Sequence, residues 1–279
     1  MHDRATRTTT RVSVGPEGGQ GNGASFDAAI SGDGRYVAFA SLARNLTPGD
    51  ANGAHDIFVH DRATGATTRI NNPVGGGDAN RESEKPSLSH DGRYVTYSSA
   101  ASNLVVGDSN GARDIFVHDR VTGQTTRVSV ASGGGQQNGD SGFVPSISAD
   151  GRYVAFMSDA SNLFVHNRAT GTTTRVNVAP DGSQAKGATL GAPSVSADGG
   201  LVAFQSAASN LAQGDRNSAD DVYVHGVGVQ QAALAQIFTG PGGYRLVGSD
   251  GGIFTFGDAR FHGSTGAVPL ARPIVAMAG

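Results

Sequence analysis

The stretch PSISADGRYVAFMSDASNLFVHNRATGTTTRVNV at residues 145–178 decides the fold, because the chain repeats it. The same opening recurs as KPSLSHDGRYV from Lys85 and as APSVSADGG from Ala192, with a looser copy from Ala28. Its Asp-Gly step stands at Asp33, Asp91, Asp150 and Asp198, spaced by roughly 58 residues and once by about ten fewer. A second phrase follows in step: DIFVHDR from Asp56 and from Asp114, NLFVHNR from Asn162, and DDVYVH from Asp220. Its histidines are His60, His118, His166 and His225. Self-similarity at such a period marks an array of one supersecondary unit, each copy unable to bury its apolar face alone.

A full unit reads as four short strands. Segment a is PSIS (145–148), b is YVAFMS (153–158), c is DIFVHDR (114–120) and d is TTRVSV (125–130). Asp-Gly joins a to b, and Thr-Gly joins c to d at Thr64-Gly65, Thr122-Gly123 and Thr170-Gly171; both are hairpin signatures. Segments b and c carry apolar residues on both alternating faces, as in Tyr36, Val37, Ala38 and Phe39 or Ile57, Phe58 and Val59. A strand buried on both sides needs a sheet packed on each. Four-stranded units stacked around an axis meet that need without long open edges. The expected fold is therefore all-β, a β-propeller of four-stranded antiparallel blades; a flat solenoid is the competing architecture.

Composition agrees. Of 279 residues, 42 are Gly and none is Trp, which suits short strands and tight turns. A formal charge of -3 with mixed signs gives no reason to expect nucleic acid or an anionic membrane surface. No apolar run approaches the roughly 20 residues that span a bilayer. With no Cys, disulfides and thiolate sites are excluded.

Four units are countable within residues 15–235, and the third lacks ten residues before its c strand. The fourth has HGVGVQQAALAQIF where a d strand belongs, whereas Thr8 to Val14 reads as a d strand at the other end. Residues 1–14 are thus expected to close the last blade. Arg7 stands where the c–d turn has Gly65 in the first unit, so no separate N-terminal hairpin is expected. The N-terminus begins in mid-unit, without the charged-then-apolar pattern of a signal peptide. From about residue 236 to 279 the wording changes, with turns at Asp250-Gly251-Gly252 and Phe256-Gly257-Asp258, and a fifth blade or the start of a further array is expected there.

The phrases KPSLSHDGRYVTYSSA, VPSISADGRYVAFMSD and APSVSADGGLVAFQSA resemble the WD-like repeat of TolB-type propellers over about residues 25–225. The C-terminal GYRLVGSDGGIFTFGDARFHGS resembles a Gly-rich repeat of secreted actinobacterial proteins. These resemblances imply a propeller in an extracytoplasmic bacterial setting, secreted, cell-surface or periplasmic. They imply no particular activity, because such propellers serve many roles.

The b–c and d–a connections are long and rich in Gly, Asn and Asp, so binding is expected at that end. Three b–c loops share D-x-N-G-x-x-D: Asp50, Asn52 and Asp56; Asp108, Asn110 and Asp114; Asp215, Asn217 and Asp221, the last with Ser218 for Gly. Two readings stay open. Oxygen ligands at positions 1, 3 and 7 with a Gly bend suit a small Ca²⁺ loop that would stiffen the connection. Asn and Asp also cap turns through their own backbone, and two carboxylates per loop are few for Ca²⁺. The recurring histidines read as interior hydrogen-bonding groups, one per blade, and Arg69, Arg127 and Arg175 as cross-strand partners of Asp61 and Asp119. The phrase GDSG at 139–142 resembles a serine-protease signature, but no triad partners support Ser141.

The leading functional reading is a non-catalytic binding or scaffold module with a protein, peptide or glycan ligand on the long-loop face, and Ca²⁺ as the one candidate cofactor. The alternative is a propeller hydrolase or lyase with a Ca²⁺-dependent site at the channel mouth, for which unlike polar residues from several blades must converge on one ion.

Overall fold

The computed structural model describes residues 2–3, 7–137, 139–141, 144–158, 161–215, 217, 219–227, 235–238, 243–247 and 253–257. The chain forms two compact units, Met1–His225 and Gly226–Gly279. In the first, β1 (His2–Asp3) pairs with β2 (Thr8–Thr9). Three four-stranded antiparallel sheets follow: β3 (Ser25–Ile30), β4 (Tyr36–Ser41), β5 (Asp56–Asp61) and β6 (Ala66–Arg69); then β7 (Ser83–Leu88), β8 (Tyr94–Ser99), β9 (Asp114–Asp119) and β10 (Gln124–Arg127); then β11 (Ser146–Ile147), β12 (Tyr153–Ser158), β13 (Asn162–Asn167) and β14 (Thr172–Arg175). A fourth sheet has three strands, β15 (Thr189–Val195), β16 (Leu201–Ser206) and β17 (Asp221–Gly226). In the second unit β18 (Ala235–Phe238), β19 (Gly243–Val247) and β20 (Ile253–Gly257) form one antiparallel sheet, while the Asp250-Gly251-Gly252 turn and Asp258 lie outside the described residues.

The repeated Ser-x-Asp-Gly phrase makes the a–b turn. Asp33 Oδ1 accepts from Ser31 Oγ at 2.5 Å and from the Arg35 amide at 3.0 Å, and Gly34 takes the left-handed φ of 71° that the reversal needs. The same pattern holds at Asp91, Asp150 and Asp198. Successive turns are joined through the backbone: Gly32 N–H donates to His90 O, His90 N–H to Ala149 O, and Ala149 N–H to Ala197 O, each at 2.9 Å.

Sheets stack face to face. Ala38, Ala40, Ile57 and Val59 of the first pack with Val95, Tyr97 and Phe116 of the second, and Ile115 and Val117 of the second pack with Ile147, Val154 and Phe156 of the third. The two-faced burial expected of b and c holds in the first two sheets and in β12, whereas in β13 Phe164 is only half-buried. In the fourth, β17 alternates and leaves Val222 and Val224 exposed, so one of its faces is bare among the described residues.

A side-chain joint locks each pair of sheets at the turn end. The ring of Tyr36 lies under the Arg120 guanidinium, 3.9 Å from its centroid, and fills the space a Cβ on Gly92 would enter. Arg120 Nη1 also donates to Gly92 O at 2.8 Å. Tyr94 repeats this with Gly151 and Arg168, and Tyr153 rests against Gly199. The Asp-Gly-Arg-Tyr phrase is therefore both a turn and an intersheet clasp.

Two expectations are corrected. Thr8–Thr9 pairs with His2–Asp3 in a short hairpin where none is expected, and Arg7 adopts φ 56°, doing the work of the glycine it replaces. The d strands stop at Arg69, Arg127 and Arg175, because the following backbone leaves the ladder for an isolated bridge, as at Val130 to Gln136 and Val178 to Gln184.

Candidate functional site

At the long-loop end each D-x-N-G-x-x-D loop folds around side chains from its own repeat. Asn52 Oδ1 accepts from the Ala54 amide at 2.9 Å, which is an Asx turn, and Asn52 Nδ2 donates to Ala79 O at 3.1 Å. Asp56 opens β5 with no exposed surface, and its Oδ1 accepts from Asn71 Nδ2 at 2.6 Å. Between the carboxylates sits Arg69. Its Nη1 is 2.6 Å from Asp78 Oδ1, 3.5 Å from Asp56 Oδ2 and 3.7 Å from Asp50 Oδ1. The second repeat builds the same arrangement: Arg127 Nη1 stands 3.3 Å from Asp108 and 3.5 Å from Asp114, while Asn110 Oδ1 accepts from the Ala112 amide.

In these two loops a guanidinium lies within 3.7 Å of the carboxylates that the Ca²⁺ reading names. In the third copy Asp215 Oδ2 accepts from Tyr223 Oη at 3.2 Å, Asn217 caps Ala219, and Asp221 begins β17. Among the described residues no group of three or more His, Asp or Glu is arranged to hold a metal.

The electrostatics follow burial. Desolvation pushes the Asp56 carboxyl up, against the Asn71 hydrogen bond and the Arg69 charge. Burial likewise raises Asp50, helped by the Asp56 charge, and raises Asp114 against Ser129 and Arg127. The arginine partners are also not those expected. Asp61 and Asp119 bind Arg35 and Arg93 through two parallel hydrogen bonds of 2.8 and 2.9 Å, which hold both carboxyls well below the usual range. Arg69 is opposite Phe58, three positions from Asp61 along β5, and so reaches the loop instead.

The histidines bridge strands. His60 Nδ1 lies 3.0 Å from Thr67 Oγ1, and that hydroxyl donates to Val14 O at 2.6 Å, so the imidazole donates through Nδ1. His166, Thr173 and Val130 O repeat the chain, and His118 meets Thr125 Oγ1 at 3.0 Å. Burial holds His60, His118, His166 and His225 below their ordinary value. Ser141 sits buried at the head of its a segment, in the position of Ser25 and Ser83, its amide bonded to Arg113 O.

Symmetry breaks between the first and second repeats. An open cleft of about 440 Å³ brings His55 from one b–c loop beside Glu82, Glu84 and Arg113 from the next repeat. His55 Nδ1 is 2.6 Å from Glu84 Oε1, Arg113 Nη2 donates to Glu82 Oε1 at 2.5 Å, and Arg113 Nη1 stands 3.7 Å from Glu84 Oε2. The Phe26 ring meets the His55 ring edge-on at 4.8 Å. Where the first repeat has His55 the second has Arg113, and where one has Phe26 the other has Glu84. Lys85, at φ 57°, forms a bulge after Glu84 that shifts the register before Ser87; Asp27, at φ 52°, does the same after Phe26. A bulge of this kind re-aims neighbouring side chains at some backbone cost. Sequence reasoning missed this cluster, since its members differ from repeat to repeat; that departure from the repeat was the available signal.

No family model matches the chain, and no curated protein does. Among solved structures it is similar to TolB from Acinetobacter baumannii at 17% identity and TM-score 0.43, over 90% of this chain and 55% of that one. It is similar to a putative TolB from Agrobacterium tumefaciens at 18% and 0.44, over 83% and 65%. An oligogalacturonate lyase in complex with manganese matches at 17% and 0.40, over 69% and 45%. The chain therefore spans less than two thirds of the length of either TolB chain. At these values they stand as likenesses and carry no inference about activity.

Proposed function

We propose that the chain is a non-catalytic β-propeller binding or scaffold module of an extracytoplasmic bacterial protein, taking a protein, peptide or glycan at its long-loop end. The observation that supports this reading is the cleft at His55, Glu82, Glu84 and Arg113, where side chains unlike those of the other repeats converge on an otherwise repetitive scaffold. Its hydrogen bonds and the Arg113–Glu82 ion pair offer donors and acceptors to a polar ligand, and Phe26 with His55 offers a ring edge. Loops carried by a rigid stack are where such recognition is usually placed. Because Arg69 and Arg127 sit among the loop carboxylates, this reading needs no Ca²⁺.

The enzymatic alternative requires donors from three or more repeats on one cation, whereas this cleft draws on two. The test is selection of ligands for the intact chain from a peptide library and a glycan array. Selected ligands are expected to lose at least about tenfold in affinity with Arg113→Ala or Glu84→Gln, as for a truncated interface anchor. Ligands indifferent to both substitutions remove the cleft from the reading, and turnover of an arrayed glycan replaces it with the enzymatic one.

A further inference from the structure

We infer that the side of the first sheet facing away from the second takes up a β-hairpin of the repeat's own a–b type, supplied by a partner and carrying Arg-Tyr after its Asp-Gly turn. Each intersheet joint has a giving half, a tyrosine, and a receiving half, the next repeat's turn glycine; in the first two a c–d arginine completes the receiving half.

The first sheet carries a receiving half with nothing in it. Gly34 has the same left-handed turn conformation as Gly92 and Gly151, and Arg62 Nη1 donates to its carbonyl at 2.7 Å, as Arg120 and Arg168 do in theirs. Among the described residues no ring lies on that platform: Arg62 is exposed, whereas Arg120 and Arg168 are half-buried over Tyr36 and Tyr94. The chain of backbone bonds between turns also starts there. Gly32 donates to His90, and among the described residues no preceding turn donates to Gly32 O.

The outer half of this side is already covered. Val12 packs with Phe39, Ala43, Leu46 and Phe58, and Val14 O accepts from Thr67 as Val130 O accepts from Thr173. Residues 8–14 therefore stand to the first sheet as the d segment of one repeat stands to the next. What stays open is the inner half, a cleft of about 230 Å³ lined by Val12, Ala28, Ala29, Ile30 and Val37. Ile30 is 47% exposed there, while its counterpart Leu88 packs into the core between the first two sheets. The uncovered strip is that of β3 and β4, which a two-stranded hairpin matches. Continuity with the internal joints identifies the occupant: a small or β-branched inward face, a tyrosine for Gly34 and Arg62, and an N–H for Gly32 O.

The chain itself provides the probe. Residues 86–100, PSLSHDGRYVTYSSA, contain every element of the giving half. A fluorescein-labelled peptide of this sequence, titrated with the full chain and followed by anisotropy, is expected to bind saturably. Replacing its tyrosine (Tyr94→Ala) is expected to weaken binding at least about tenfold, and Arg62→Ala in the protein about fivefold, the scale of a cation–π contact with its ring. Arg62 is exposed, so the variant's unchanged circular dichroism and melt serve as the folding control; Ile30→Glu, which charges the cleft, is expected to abolish binding. Absence of saturable binding by the unmodified peptide overturns the inference. So does binding that survives both Tyr94→Ala and Ile30→Glu. Neither outcome touches the long-loop reading, which rests on the opposite end of the sheets.

Discussion

Arg69→Met is the sharpest test of how the b–c loops are held. Methionine keeps much of the aliphatic stem and removes the charge that three carboxylates share. Two of them are almost wholly enclosed, with 3% of the Asp50 side chain and 0% of the Asp56 side chain exposed. At an effective dielectric of about 20, unit charges at the 3.5 Å separating Arg69 from Asp56 attract by about 5 kcal/mol, before the cost of leaving water is subtracted. Removing one partner of a buried pair leaves the other charge uncompensated, which costs about 3–5 kcal/mol. At about 2–4 °C per kcal/mol for a unit of this size, the melting midpoint at pH 7 is expected to fall by about 6–20 °C. Adding Asp56→Asn is expected to recover part of that loss, because the amide oxygen still accepts from Asn71 and no buried charge is stranded. The deficit should also shrink as pH falls from 7 to 5. Burial already raises Asp50 and Asp56, losing Arg69 raises them further, and a protonated carboxyl no longer misses its cation. Thermal and urea unfolding of wild type, single and double variants at both pH values decide the matter. A single variant melting within about 2 °C of wild type, or a deficit that grows in acid, refutes the arginine-centred account.

Four further outcomes are expected. Burial lowers the His60, His118 and His166 imidazoles, so the unfolded chain binds protons the fold resists; stability is full above pH about 6.5 and declines below it. Urea midpoints of wild type and His118→Gln between pH 7.5 and 5 test this, the variant showing the shallower fall. Gly151→Ala, with φ 73° and a Cβ 2.1 Å from the Tyr94 ring, is expected to cost about 2–3 kcal/mol, against about 1 for Gly65→Ala, which has open space; chemical denaturation compares them. Thr67→Val strands both His60 Nδ1 and Val14 O and is expected to cost about 1–3 kcal/mol, with faster amide exchange around residues 12–20. Wild-type melts are expected to be the same with millimolar Ca²⁺ and with chelator; a midpoint raised by Ca²⁺ shows that an ion shares the loops with the arginines.

Much of the fold was legible because the repeat states it several times. The b and c strands run Tyr153–Ser158 and Asp114–Asp119, ending where double-faced apolar wording meets Ser, Asp or the turn. The d strand is shorter than its wording: Val128 and Val130 are buried as the alternation suggests, but the strand ends at Arg127. Charge pairing was the weakest inference. Matching Arg69 to Asp61 by type ignored register, which puts Ala66 opposite Asp61 and leaves that carboxylate to Arg35. Nor does spacing show that an arginine side chain lies among the loop carboxylates, as Arg69 and Arg127 do. Arg7 in place of glycine argues against an N-terminal hairpin, yet a non-glycine residue does adopt the left-handed conformation when a short hairpin demands it.

The clasps between sheets have a cost in fidelity. Tyr36 meets Gly92 and Arg120 in the same way that Tyr94 meets Gly151 and Arg168, so the mating surfaces are nearly interchangeable. Neighbour order then leans on the length of the connecting peptide and on the few contacts that differ between repeats, such as His55 with Glu84. Two molecules unfolding side by side at high concentration can therefore exchange modules and refold as entangled dimers, a hazard that grows with every added copy.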